Sequence, residues 1–169
     1  MIYVCSLERV PATVEEVGAG RLLSLLAEGT LMARPARLGP EQHLLLNFHD
    51  IAEPQDGLTP PSEAHVRRIL DFGEAWDALA PLVINCFAGI SRSTASAYMI
   101  AAAKSPGRDE AELAQELRKL SPTATPNPRM VAMADAMLGR NGRMISAIAG
   151  IGRGAEAMEG VPFGLKLEG

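Results

Sequence analysis

Pro81-Leu82-Val83-Ile84-Asn85-Cys86-Phe87-Ala88-Gly89-Ile90-Ser91-Arg92-Ser93 is the stretch that decides the fold. Leu82 to Asn85, behind Pro81, is a short apolar run of the kind a strand buried on both faces requires. The run enters a loop of small residues, and Thr94 to about Ala103 continues as a helix of small side chains. A strand–loop–helix step of this form turns successive backbone N–H groups inward into a concave anion site. The helix N-terminus adds unsatisfied N–H groups and the positive end of its dipole. Gly89 permits a backbone angle that a Cβ would penalise. Arg92 offers a planar fork that matches two phosphate oxygens. Cys86 at the base of such a cup is expected to rest largely as thiolate near neutral pH, facing a bound phosphorus in line for attack.

Outward from this step, the chain alternates strands and helices. Ile2 to Cys5 reads as a first strand, and Thr13 to Glu28 as a helical pattern broken by Gly18 and Gly20. His43 to Phe48 reads as a strand ending at His49-Asp50, followed by a turn-rich stretch to Pro61. Ser62 is a good N-cap for a helix reaching about Leu79. Further helices are expected over Asp109–Leu120, Pro128–Leu138 and Arg143–Ala149. The fold class is therefore α/β, a mostly parallel central sheet flanked by helices, with its ligand site outside the carboxyl end of a strand. Residues 1–149 are expected to form a single domain and the Gly-rich 150–169 a loosely held tail.

Composition excludes several function classes. Sixteen Lys plus Arg stand against 20 Asp plus Glu, a net charge of −4 that suits no protein that wraps nucleic acid non-specifically. No apolar run approaches the roughly 18 residues of a membrane span, and Met1 to Val10 carry no secretory-signal pattern. Two cysteines, Cys5 and Cys86, are too few for a disulfide framework, so the expected location is the cytoplasm. His43, His49 and His65 lack metal-ligand spacing, and neither a metal nor a cofactor is expected. Ile69, Phe72 and Trp76 suit core packing better than a ligand box. The oligomeric state is not legible.

The eight residues Cys86 to Ser93 resemble the signature loop of the protein tyrosine phosphatase superfamily, Cys-x5-Arg followed by Ser or Thr. The wording Ala-Gly-Ile-Ser-Arg-Ser is most similar to the dual-specificity branch and its small bacterial relatives. In coarse order the resemblance covers about residues 1–140, including the Pro-Asn-containing segment Pro122–Pro128. It implies a cysteine-phosphatase-like fold and hydrolysis of phosphate monoesters through a cysteinyl-phosphate. Cys86 would attack, Arg92 and the N–H groups of Phe87, Ala88, Gly89, Ile90 and Ser91 would hold the phosphate, and Ser93 would help the sulfur leave. The family's general acid lies some thirty-odd residues earlier after a strand, which points to Asp50. Asp56, in an Asp-Gly turn, and Glu53 are further carboxylates in the same loop.

Asn85 departs from the pattern, because the family usually has His there. Asn keeps part of the hydrogen bonding but no positive charge. That departure leaves open a catalytically weak or inactive pseudo-phosphatase that recognises a phosphorylated partner. A reductase built on the same cup would need a second cysteine, for which Cys5 is the candidate. The loop lacks Lys, which argues against highly phosphorylated inositides. The expected substrates are a phosphorylated protein (phosphotyrosine, with phosphoserine and phosphothreonine as further candidates) or a small phosphomonoester.

Overall fold

The computed structural model describes residues 1–167. Five strands form one sheet, β1 Ile2–Ser6, β2 Arg21–Leu26, β3 His43–Asn47, β4 Leu82–Cys86 and β5 Phe163–Leu165, in the order β3-β2-β4-β1-β5. The first four strands run parallel, and β5 pairs antiparallel with β1. Six α-helices accompany them among the described residues: α1 Val10–Val17, α2 Glu63–Glu74, α3 Arg92–Lys104, α4 Glu110–Leu120, α5 Pro128–Met137 and α6 Arg143–Ile151. No helix among the described residues is long and apolar enough to cross a membrane.

The α/β architecture matches the expectation, and β4 with α3 is its axis. Every residue of β4 is buried, as are 11 of the 13 residues of α3. A helix so enclosed needs small side chains, and Ala95, Ser96, Ala97, Ala101 and Ala102 let the sheet and α2, α4 and α5 approach it closely. Two apolar clusters divide across the sheet. Cys86, Ile84 and Val4 belong to the α3 side, whereas Cys5, Val83 and Leu22 pack with Val10 and Val14 of α1.

The expected helix from Thr13 to Glu28 is two elements. Gly18, in the left-handed conformation at φ 63°, ends α1, and Ala19 N–H closes the turn on Val14 O at 3.0 Å. Arg21–Leu26 then enters the sheet between β3 and β4, with its five last residues buried. A Leu-rich run buried on both faces carries no period, so apolar spacing could not separate strand from helix there. The helix from Ser62 ends at Glu74, short of Leu79, and Trp76 Nε1 donates to Ala80 O in the turn that follows.

The segment from Gly150, expected to hang loosely, is instead built into the fold. Its first residues complete α6 to Ile151, where Arg118 donates to the carbonyls of Ile151 and Gly152. Residues 153–162 then run past the carboxyl end of β4 to reach β5 at the sheet edge. Gly164 faces Tyr3, whose ring leaves no room for a Cβ. Glu168 and Gly169, the last residues of that expected tail, lie outside the described residues.

Candidate active site

The loop after β4 is held from outside by its carbonyl groups. Phe87 O accepts from Leu7 N–H at 3.1 Å, Ala88 O from Gly160 N–H at 2.8 Å and Ile90 O from Thr125 N–H at 2.9 Å. Ser91 O accepts from Thr94 Oγ1 and from Asn127 N–H, and Cys86 O from Asn85 Nδ2. Every peptide bond among the described residues is trans, so each outward C=O turns the following N–H the opposite way. The amides of Phe87, Ala88, Gly89, Ser91 and Arg92 therefore face the cup. Gly89 takes φ +73°, and a Cβ there would lie 2.8 Å from backbone atoms of Cys5 and Ser6. No other residue fits that position without moving β1.

Cys86 is 2% exposed at the base of the cup, with Sγ 3.2 Å from Ser93 Oγ. Arg92 opens α3 and is itself buried. Its Nη1 donates to Phe48 O at 2.7 Å, and its buried Nε has no acceptor among the described residues. Arg118 and Arg140 also have an unpartnered Nε, but both spend their two terminal nitrogens on protein acceptors. Among the described residues Arg92 spends Nη1 alone. Its Nε–Nη2 edge remains as a two-pronged donor, the geometry that a phosphate's paired oxygens satisfy.

Asp50 sits at the rim. Its Oδ1 accepts from Ser91 Oγ at 2.7 Å and from Asn127 Nδ2 at 2.8 Å, which leaves Oδ2 without a hydrogen-bond partner among the described residues. Asn127 does two jobs, since its Oδ1 also caps α5 through the N–H groups of Arg129 and Met130. Arg129 fixes the following loop by donating to Ala52 O and Pro61 O. Glu53 and Asp56 are exposed and make no hydrogen bond to the loop after β4 among the described residues. Asn127 was not among the expected site residues, although the Pro126-Asn127-Pro128 run that places it was a visible signal.

Asn85 is fully buried, with Oδ1 accepting from Ser24 Oγ at 2.7 Å. Ser24 has a single proton to donate, so at its 2.9 Å contact with His43 it accepts from Nε2–H. Burial and the nearby Arg34 charge hold His43 below the usual histidine value. An imidazole is thus linked to the residue before Cys86, one hydroxyl removed. Cys5 faces the other side of the sheet, and burial above all pushes its thiol up to about 12, aided by the Cys86 and Glu159 charges against a Thr13 hydrogen bond. A thiol that stays protonated on the opposite face cannot resolve Cys86 without breaking β1. The three histidines are occupied elsewhere: His43 on Ser24, His49 Nδ1 accepting from Thr59 N–H, and His65 in the α2 cap.

A cleft of about 730 Å³ opens beside the cup between Asp50, Ser91 and Asn127 on one wall and Arg153, Glu156 and Met158 on the other. A second cleft of about 350 Å³ lies across Met158, between Glu8, Phe87 and Glu159.

No family model matches the sequence, and no curated protein does either. Solved structures do match. The PTP-2 phosphatase of Cydia pomonella superposes with a TM-score of 0.63 at 16% identity, over 80% of this chain and 84% of that one. Human DUSP28 gives 0.62 at 16% identity, over 83% and 92%. PTPMT1 in complex with PI(5)P gives 0.63 at 15% identity, over 88% and 94%. Identities this low express a likeness of fold. The chain thus folds as the dual-specificity phosphatases of the protein tyrosine phosphatase superfamily do, with Cys86 at the carboxyl end of the central strand.

Proposed function

We propose that the chain is a cysteine-dependent phosphatase that hydrolyses phosphate monoesters of the phosphotyrosine and phosphoserine/threonine type. The observation that carries this reading is the open Nε–Nη2 edge of buried Arg92, set beside Cys86 in a loop whose amides face inward. In the first step Cys86 Sγ forms the S–P bond as the P–O bond to the leaving group breaks, and Asp50 gives its proton to the departing oxygen. In the second step Asp50 takes a proton from water as that water attacks phosphorus and the S–P bond breaks. Ser93 Oγ donates to the released sulfur. Arg92 and the loop amides hold the three equatorial oxygens throughout, where charge spreads in the transition state.

Hydrolysis of a small aryl phosphate from pH 4 to 8, in EDTA, tests the reading. Cys86→Ser is expected to abolish turnover while retaining phosphate binding. Asp50→Asn is expected to lower it by roughly a hundred-fold to ten-thousand-fold, less for an activated aryl leaving group than for an alkyl one. A folded, reduced protein without turnover at any pH would make the chain a phosphate-binding pseudo-phosphatase, the reading that Asn85 favours.

A further inference from the structure

The segment between α6 and β5 passes along the outer, carbonyl face of the loop after β4 as an arch fixed at both feet. At one foot Gly154 N–H donates to Thr125 Oγ1 at 3.1 Å and Ala155 N–H to Pro122 O at 2.9 Å. Thr125 N–H in turn holds Ile90 O of the phosphate loop. At the other foot Gly160 N–H holds Ala88 O, and Ser6 Oγ donates to Glu159 Oε1 at 2.5 Å. Both feet need glycine, because a Cβ on Gly154 would lie 2.6 Å from Thr123 backbone and one on Gly160 2.8 Å from Gly89 O. Between them Glu156, Ala157 and Met158 are exposed, and no hydrogen bond or ion pair among the described residues occupies Glu156. Met158 is 97% exposed and lines both clefts, so it stands as a ridge between them.

Two clefts on either side of one ridge, one lined by Ile90 and Ser91 and the other by Phe87 and Ala88 of the same loop, suit a ligand that extends in two directions from its phosphate. A small phosphomonoester would leave one of them empty, whereas an extended polypeptide fills both. The charge of the walls narrows the ligand further. Asp50 and Glu156 line the larger cleft together with Arg153, and Glu8 and Glu159 line the smaller one, where the cation beside them is the Arg9 that pairs with Glu159. Glu159 is shared with Ser6 and Arg9, which leaves Glu8 and Glu156 as the free carboxylates of the rim. Phe87, 67% exposed, adds an apolar edge on which the stem of a long basic side chain can lie. A cationic cup inside an anionic rim repels additional phosphates and attracts basic side chains.

We infer that residues 156–158, together with Glu8, read the polypeptide on both sides of the phosphoresidue, and that the preferred substrate is a phosphorylated polypeptide with basic flanking residues. The inference rests on the phosphatase reading above for turnover but makes its own claim about binding. The test uses phosphotyrosine peptides of equal length with Lys, Ala or Glu on both sides, a water-soluble short-chain PI(5)P, and a small aryl phosphate as reference. For the intact protein kcat/KM is measured, and for Cys86→Ser the Kd of each peptide. The Lys-flanked peptide is expected to exceed the Glu-flanked one by about three- to ten-fold, narrowing as salt rises from about 0.05 to 0.3 M. Glu156→Lys combined with Glu8→Lys is expected to reverse that order. Glu74→Lys, at the end of α2 that leads into the amino end of β4, opposite the loop at its carboxyl end, is expected to keep it. Equal constants for the three peptides, or a preference for the inositide, would overturn the inference while aryl phosphate turnover upheld the phosphatase. Loss of all turnover with the Kd order intact would do the reverse.

Discussion

Asn127 shows how a single side chain can serve stability and chemistry through separate atoms. Its Oδ1 caps α5 while its Nδ2 grips Asp50, so the two roles come apart by substitution. Asn127→Ala is expected to cost about 1 kcal/mol of stability through the lost cap, and to lower kcat through the released acid. Asn127→Ser keeps a capping oxygen on a side chain too short to reach Asp50. It is expected to melt close to the parent while its kcat falls as far as that of Asn127→Ala. Thermal denaturation beside steady-state kinetics checks this, and a Ser variant with full kcat would remove Asn127 from the acid's support. At this scale the sequence was most informative about how Cys86, Gly89, Arg92 and Ser93 come together, because one short strand–loop–helix step places all four. Asp50 was preferred to Glu53 and Asp56 on its place after a strand alone, since the contacts that set it against the loop come from Ser91 and Asn127, both distant in the chain. Ser24 and His43 were beyond reach for the same reason, joined to Asn85 only by the stacking of β2 between β3 and β4.

The helix α2 carries a pH-sensitive element at its start. Ser62 N–H donates to His65 Nδ1 at 3.2 Å, and the His65 ring stacks on Phe48 at 4.7 Å, the residue whose carbonyl holds Arg92. Burial first, and then the Arg68 charge, holds His65 below the ordinary histidine value, and protonation would remove the ring acceptor that the cap uses. His43 is lowered likewise by burial and Arg34. In both cases the unfolded chain binds the proton more readily than the folded one, so stability rises with pH across the interval between the two values. It is complete above the ordinary histidine value of about 6.5 and is lost as pH falls below it. Urea denaturation at about pH 7.5 and 5.5 is expected to show a lower midpoint in acid, with a smaller difference in His65→Gln. An equal or higher midpoint at the lower pH would contradict this. A helix cap such as Ser62 was readable because its signal is local. The strand β2 was not, since its buried leucines acquire a strand's identity only from neighbours on both sides.

Across the whole molecule, the phosphate loop depends on both ends of the fold. Leu7, one residue past β1, holds Phe87 O, and Gly160, shortly before β5, holds Ala88 O. Gly160→Ala would press a methyl group against Gly89 O at 2.8 Å. It is expected to weaken phosphate binding in the Cys86→Ser background by several-fold, because a displaced Ala88 carbonyl turns the Gly89 amide out of the cup. Calorimetric titration with inorganic phosphate reads this directly, and unchanged affinity would detach the arch from the loop's geometry. Nothing in Gly150–Leu167 announced such a role: its glycines resemble those of a linker, and a three-residue strand is too short to show a period. The dependence on Gly160 also sets an order in time. Ribosomes deliver a protein from its first residue onward, and Cys86 and Arg92 emerge long before the amide that fixes Ala88. A nascent chain can therefore assemble the four parallel strands with the nucleophile in place, yet it lacks the finished anion cradle until translation has passed the arch.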